Sequence, residues 1–152
     1  MSDTSMGPVE PADIEAVIAL DQSVTGTSRR GFYQKRFSAT AAHPERFVWL
    51  VAREEGRLVG FVSAQILAGE YGDDTRSAVV DAIGTARERR RGGLGGALMA
   101  ALEAELISRG VGELRSEADW TERDLIGFFA RTGFSLAPQL VLARDCRATA
   151  DF

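Results

Sequence analysis

The stretch from Ala78 to Leu106 restricts the fold more than any other part of this chain. Ala78-Val79-Val80-Asp81-Ala82-Ile83-Gly84 is apolar apart from Asp81, and with its flanks it predicts a strand over Ser77–Thr85. Apolar residues on both faces of a strand must both be covered, which argues for a central position in a sheet. Leu94, Leu98, Leu102 and Leu106 then recur every four residues, as in a helix with one buried stripe. Between strand and helix stand Arg87-Glu88-Arg89-Arg90-Arg91-Gly92-Gly93 and then Gly95-Gly96.

A helix begins with several unpaired backbone N–H groups and the positive end of its dipole. Glycines at 92, 93, 95 and 96 let an anion approach that backbone without meeting a Cβ. Arg90 and Arg91 stand beside it, able to pair with further phosphate oxygens. Two familiar phosphate-binding turns fit poorly. A P-loop needs lysine and then serine or threonine after its last glycine, where this chain has Ala97-Leu98. A dinucleotide-binding turn counted from Gly93 needs its third glycine where Leu98 stands.

The rest of the chain supplies elements of both kinds. Met6–Val9 reads as a first strand, and Pro11 opens a helix with Ile14, Val17 and Ile18 on its apolar face. A second helix runs from Ser28 to about Ala41, with Phe32, Arg36 and Phe37 on one side, and His43-Pro44 closes it. Arg46–Arg53 and Arg57–Leu67 form a hairpin around Glu54-Glu55-Gly56. Gly69–Asp74 is a polar loop. Val111–Glu117 is a strand, and Thr121-Glu122-Arg123-Asp124 has the form of a capping box before Leu125, Ile126, Phe128 and Phe129. Gly133 ends that helix from the C′ position. Phe134–Ala137 and Gln139–Asp145 read as closing strands broken by Pro138. The order β-α-α-β-β-β-α-β-α-β-β predicts an α/β fold with a mixed sheet and helices on both faces.

Bulk properties exclude whole classes of function. The 152 residues fit one domain spanning 1–152. With 45% hydrophobic and 26% charged residues the chain is not disordered by composition. No apolar run approaches the ~20 residues of a membrane span, and the N-terminus lacks the pattern of a signal peptide, so a cytoplasmic location is expected. A net charge of -4 gives no general attraction to nucleic acid. One histidine, His43, and one cysteine, Cys146, leave neither a zinc site, an internal disulfide, nor a Cys–His nucleophile.

Arg90-Arg91-Gly92-Gly93-Leu94-Gly95 resembles the R/Q-x-x-G-x-G/A signature of the GNAT acetyltransferase superfamily. Asp81-Ala82-Ile83-Gly84-Thr85 is similar to the strand that precedes that turn in the family. Phe128-Phe129-Ala130-Arg131-Thr132-Gly133-Phe134 is similar to its aromatic–Tyr-x-x-x-Gly-Phe segment. The spacing of these motifs and the order of elements follow the family over most of the chain. The resemblance implies a GNAT fold, with a mixed, mostly antiparallel sheet, and acetyl-CoA as cosubstrate. It assigns the cosubstrate to Ile83, Gly84, Thr85, Arg90, Arg91, Gly92, Gly93, Leu94, Gly95, Gly96 and Phe128; Arg131 reads equally as a further phosphate partner or as a solvent-facing helix residue, and no metal is expected. The resemblance also implies direct transfer of an acetyl group to an amine of a small molecule, peptide or protein, and a homodimer would be ordinary for such a chain. Phe129 stands where many members carry a tyrosine that protonates the leaving thiolate. That substitution keeps a second reading open, a non-catalytic acyl-CoA-binding regulatory domain of the same fold.

The chemistry asks for a base, because an alkylamine with a pKa near ~10 is mostly protonated at neutral pH. Asp81 is the lone charge in an apolar strand, where burial raises a carboxyl pKa, and relatives often carry an acid there. A hydrogen-bonded structural aspartate is the competing reading. The resemblance puts a backbone N–H near Ile83 or Gly84 at the developing oxyanion. Tyr33 and Tyr71 replace the missing acid only if the fold carries them to the site, and aromatic packing is their commoner fate. Glu117, Asp119 and Trp120 follow a strand that ends near the acceptor cleft, and read either as amine ligands or as a solvated loop.

Overall fold

The computed structural model describes residues 3–68, 75–90 and 92–147. Five strands form one sheet in the order β1-β2-β3-β4-β5: β1 Thr4–Pro8, β2 Phe47–Glu54, β3 Arg57–Leu67, β4 Arg76–Thr85 and β5 Val111–Ser116. The first four pair antiparallel in succession, and β5 joins β4 in parallel. The parallel step needs a crossover, supplied by α3 (Leu94–Ser108). The helices α1 (Ile14–Thr25), α2 (Arg30–Ala42) and α4 (Arg123–Arg131) complete the regular structure of the described residues.

Two apolar cores lie on opposite faces of the sheet. One gathers Val48, Val62, Ala78 and Val80 under the α3 stripe of Leu94, Leu98, Leu102 and Leu106, none more than 4% exposed within that stripe. Each such leucine contributes about 1.5–3 kcal/mol of burial. The other holds Val17 and Ile18 of α1 and Tyr33 of α2 against Trp49, Val51, Phe61 and Ala82. Tyr33, rather than the Phe32 and Phe37 expected from periodicity, is the fully buried side chain of α2. Its ring sits edge-on to Phe32 and Phe61.

Local signals explain the helix ends. Pro11 starts a single 3-10 turn over Pro11–Asp13, and the α-helix follows from Ile14. Glu10 and Asp13 cap that turn reciprocally, the Glu10 N–H donating to Asp13 Oδ2 at 2.7 Å. The capping box expected at Thr121 lies two residues earlier. The Asp119 N–H donates to Glu122 Oε2 at 2.9 Å, and Asp119 Oδ1 accepts from the Thr121 N–H at 3.3 Å. At the other end of α4, Gly133 has φ +99°; its N–H donates to Ala130 O at 3.3 Å, and the Phe134 N–H donates to Phe129 O at 2.9 Å. These two bonds make a Schellman closure at the expected C′ glycine.

The closing strands are not formed. Residues 134–147 contain no strand, and Leu136, Leu140, Val141 and Leu142 are 84–99% exposed. An apolar run becomes a strand only where a sheet edge receives its backbone, and this segment pairs with none among the described residues. One side-chain bond, from Arg115 Nη1 to Gln139 Oε1 at 3.1 Å, touches β5. The strand expected at Ser77–Thr85 is observed as β4; it is interior, with β5 at the edge beside it.

Candidate functional site

The geometry of the site begins where β4 and β5 part. Their parallel ladder runs from Arg76–Val111 to Val80–Ser116, where β5 ends. From Asp81 to Thr85 the edge of β4 turned away from β3 has no ladder partner among the described residues. The Ala86 N–H donates to Val59 O at 2.8 Å, so alternation along the strand points the backbone of Ala86 and Gly84 at β3. The same alternation turns the N–H and C=O of Ile83 and Thr85 toward the open edge. Gly84 therefore spends its backbone on Phe61, and its missing side chain makes room for that ring, which lies 2.7 Å from where a Cβ would stand.

Asp81 sits at a defect in this strand. Ser63 pairs with Ala82 and Ala64 with Val80, leaving Asp81 with no opposite residue. The bulge changes which face the residues address. Val80 packs in the α3 core, whereas Ala82, two residues on, packs in the core under α1 and α2. Asp81 leans to the α2 side, where Arg36 Nε lies 3.3 Å from its Oδ2. Side-chain exposures are 13% for Asp81 and 18% for Arg36. The contact is an ion pair without hydrogen-bond alignment, since Nε and Oδ2 are sealed from solvent and neither has a hydrogen-bond partner. Burial raises the Asp81 pKa above the ordinary carboxylate value, and the Arg36 charge opposes part of that rise. The Arg36 guanidinium lies over the rings of Phe32 at 5.4 Å and Phe47 at 4.8 Å.

Past Thr85 the chain makes a 3-10 turn over Arg87–Arg89 and enters α3. Gly93 is the residue before the helix, at φ +83°, a left-handed conformation that costs a side-chain-bearing residue about 1–2 kcal/mol. No side chain caps the helix. The Ala97 N–H closes the first helical bond, on Gly93 O at 3.0 Å. The N–H groups of Gly93, Leu94, Gly95 and Gly96 meet no acceptor among the described residues. Together the left-handed glycine, the uncapped helix and the four unspent donors fit a phosphate group.

The remaining candidates divide. Leu94 is 4% exposed in the α3 core, so its backbone N–H is what it can offer a ligand. Phe128 lies across the first turn of α3, its ring 2.9 Å from where a Gly95 Cβ would stand. Gly92 and Arg90 are exposed in the turn, and Arg90 has no ion pair among the described residues. The other cations nearby are committed: Arg89 Nε lies 2.8 Å from Glu54 Oε1, and Arg87 Nη2 reaches Ser23 O at 3.4 Å. Arg91 and Tyr71 lie outside the described residues. Arg131 is exposed on the last turn of α4 with its guanidinium folded back over Gly127.

Tyr33 is buried away from this chemistry. Its hydroxyl accepts from Arg29 Nη2 at 3.0 Å, and burial pushes its pKa well above the ordinary phenol value. Phe129 is 7% exposed, packed against Phe128 and Phe134. His43 ends α2 at the surface, Asp119 is occupied in capping, and Glu117, Trp120 and Cys146 are exposed. The residue that sequence reading missed is Arg36. A lone charge in an apolar strand signals a counter-charge somewhere, but nothing in the sequence says which of many arginines provides it.

The family model described as the Acetyltransferase (GNAT) family matches residues 15–134. No curated protein matches the chain in sequence. Solved structures of similar fold include an aminoglycoside N-acetyltransferase, AAC(6')-Iy, in complex with CoA. It is 15% identical, with 96% of this chain and 97% of that one covered and a TM-score of 0.82. Glucosamine-6-phosphate N-acetyltransferase from Arabidopsis thaliana is 16% identical over 95% of this chain and 99% of that one, with a TM-score of 0.74. A transcriptional regulator from Bacillus halodurans C-125 is 16% identical over 94% of this chain and all of the other (100%), with a TM-score of 0.80. With the family model matched over residues 15–134, most of its length, the chain belongs to the GNAT acetyltransferase family and is an acyltransferase with acetyl-CoA as cosubstrate.

Proposed function

We propose that this protein is an N-acetyltransferase in which Asp81 accepts the proton of an amine acceptor at the open edge of β4. The observation that carries the reading is the juxtaposition of a buried, bulged carboxylate with the unpaired strand edge at Ile83 and Thr85. Acetyl-CoA supplies the acetyl group as a thioester. The N–H groups at the start of α3, with Arg90 and Arg91, bind its pyrophosphate, and Phe128 borders the same turn. Thr85, at the end of the open edge of β4, and Arg131, on the last turn of α4, complete the proposed binding set.

Asp81 takes one proton from the acceptor ammonium, directly or through a water, leaving a neutral amine with its electron pair available. As that pair forms the new C–N bond, charge moves onto the carbonyl oxygen, which the Ile83 N–H faces. The Gly84 donor is turned to β3, so the oxyanion falls to Ile83. The C–S bond then breaks, the thiolate departs with the electron pair, and the second proton, which the nitrogen sheds as the amide forms, passes through solvent to the thiolate. A thiol pKa near ~8.5 makes it an adequate leaving group without a protein acid, which is consistent with phenylalanine at 129.

Calorimetric titration with acetyl-CoA, with ATP and NAD as controls, tests the cosubstrate half of this reading. Selective micromolar binding (about -8 kcal/mol) is the expected result. Binding without consumption of acetyl-CoA by any amine would favour the regulatory reading, and equal binding of ATP would overturn the assignment of the turn.

A further inference from the structure

Resting on that reading, we infer that the acceptor is an α-amino acid, a zwitterion whose ammonium is received by Asp81 and whose carboxylate is received by Arg36. Asp81 and Arg36 form a dipole at the site rather than a lone negative charge. Their facing atoms, Nε and Oδ2, stand 3.3 Å apart and are sealed from solvent, so a ligand meets the pair at the terminal nitrogens of Arg36 and at Asp81 Oδ1. In an α-amino acid the nitrogen and the carboxylate oxygens are roughly 3 Å apart, because bonds of ~1.46 and ~1.52 Å join them through one carbon, so one small molecule carries both charges at close range. Such a molecule laid antiparallel on the pair brings each of its charges against the opposite charge of the protein.

The donors for this are unspent. The terminal nitrogens of Arg36 make no hydrogen bond among the described residues and are not sealed from solvent; Nε is the one nitrogen that is. A guanidinium with its planar fork open is suited to bidentate binding of a carboxylate. The rings of Phe32 and Phe47 both lie against the guanidinium, at 5.4 and 4.8 Å, and restrict its motion before anything binds. Asp81 Oδ1 is likewise without a partner.

The surroundings choose among amino acids. Phe32, Lys35, Arg36 and Ala39, at i, i+3, i+4 and i+7 of α2, line an open hollow of about 290 Å³ that shares Arg36 with the pair. Apart from the two cations its walls are apolar, which suits an aliphatic or aromatic side chain. Lys35, the chain's only lysine, adds a second positive charge. A polyamine or other polycation would bring its extra ammonium groups against Arg36 and Lys35, so this surface selects against it.

The test compares L-leucine and L-phenylalanine with their carboxamides, a polyamine and an aminoglycoside as acceptors, on the wild-type protein and the Arg36→Gln and Arg36→Lys variants. The amides lack the carboxylate and have the more easily deprotonated amine, so intrinsic reactivity favours them. The expected kcat/KM of wild type is nonetheless at least tenfold higher on the acids. Arg36→Gln should abolish that preference through KM, with acetyl-CoA affinity and circular dichroism unchanged, and Arg36→Lys should restore part of it. Amides equal to acids, preference for a polyamine or aminoglycoside, or a preference that survives Arg36→Gln would each overturn the inference. Failure of wild type to bind acetyl-CoA would instead strike the acetyl-transfer reading itself, and the acceptor assignment would fall with it.

Discussion

The proposed base, Asp81, can take a proton only while ionised, and two opposed effects set where that happens. Burial disfavours the charge and raises the pKa, and Arg36 restores part of it. The acid limb of kcat/KM should therefore lie above the ordinary carboxylate range, with activity lost as pH falls through the raised value. Removing the Arg36 charge deletes the effect that lowers the pKa, so Arg36→Gln should move this limb to still higher pH. Asp81→Asn should lower turnover at every pH and erase the limb while leaving acetyl-CoA affinity near wild type. A pH profile that ignores the Arg36 substitution, or an acid limb that persists in Asp81→Asn, would take the base assignment away from Asp81. The sequence made Asp81 visible because a charge inside an apolar strand is conspicuous. Arg36 was not visible, since the contact joins residues 45 positions apart through a bulge that no local pattern announces.

At the scale of the element, the start of α3 separates two uses of glycine. Gly93 is held at φ +83°, so Gly93→Val incurs about 1–2 kcal/mol of backbone strain. It also puts a branched side chain at the mouth of the unpaired N–H groups. Acetyl-CoA affinity should fall tenfold or more in a titration, and wild-type affinity in this variant would remove the turn from the binding site. Gly96 is helical, and a Cβ there meets nothing within 4 Å. Gly96→Ala should stabilise the helix by about 0.5–1 kcal/mol, read as a rise in Tm, because alanine gives up less backbone freedom on folding. The turn and its glycines were legible in the sequence for the same reason that they work locally. Every group involved lies within a few residues of the others.

At the scale of the molecule, burial is unevenly spread. Leu102 is fully buried under α3, and Leu102→Ala should cost about 2–5 kcal/mol. Leu140 and Leu142 are 89% and 90% exposed, so the double change Leu140→Ser, Leu142→Ser should alter stability by no more than about 0.5 kcal/mol per site. Denaturant unfolding monitored by circular dichroism compares them directly. A large loss in the serine variant would mean that residues 134–147 are packed against something after all. Their run of leucine and valine reads as a strand on composition, yet pairing is a property of the receiving edge, which the sequence of the segment does not contain.

The sequence by itself determined the strand, turn and helix from Ser77 to Leu106, the two-faced α/β layering, the closure of α4 at Gly133 and the left-handed glycine before α3. Each is written in periodicity or in the conformational needs of adjacent residues, and such signals act over one or two turns of chain. Only the tertiary structure decided that Asp81 stands at a bulge, that α2 brings Arg36 against it, that Tyr33 is consumed by the core, and that β5 stops at Ser116 and opens the edge of β4. Those outcomes depend on how distant surfaces meet, on register and on face, and a one-residue shift in pairing reverses which face a side chain addresses.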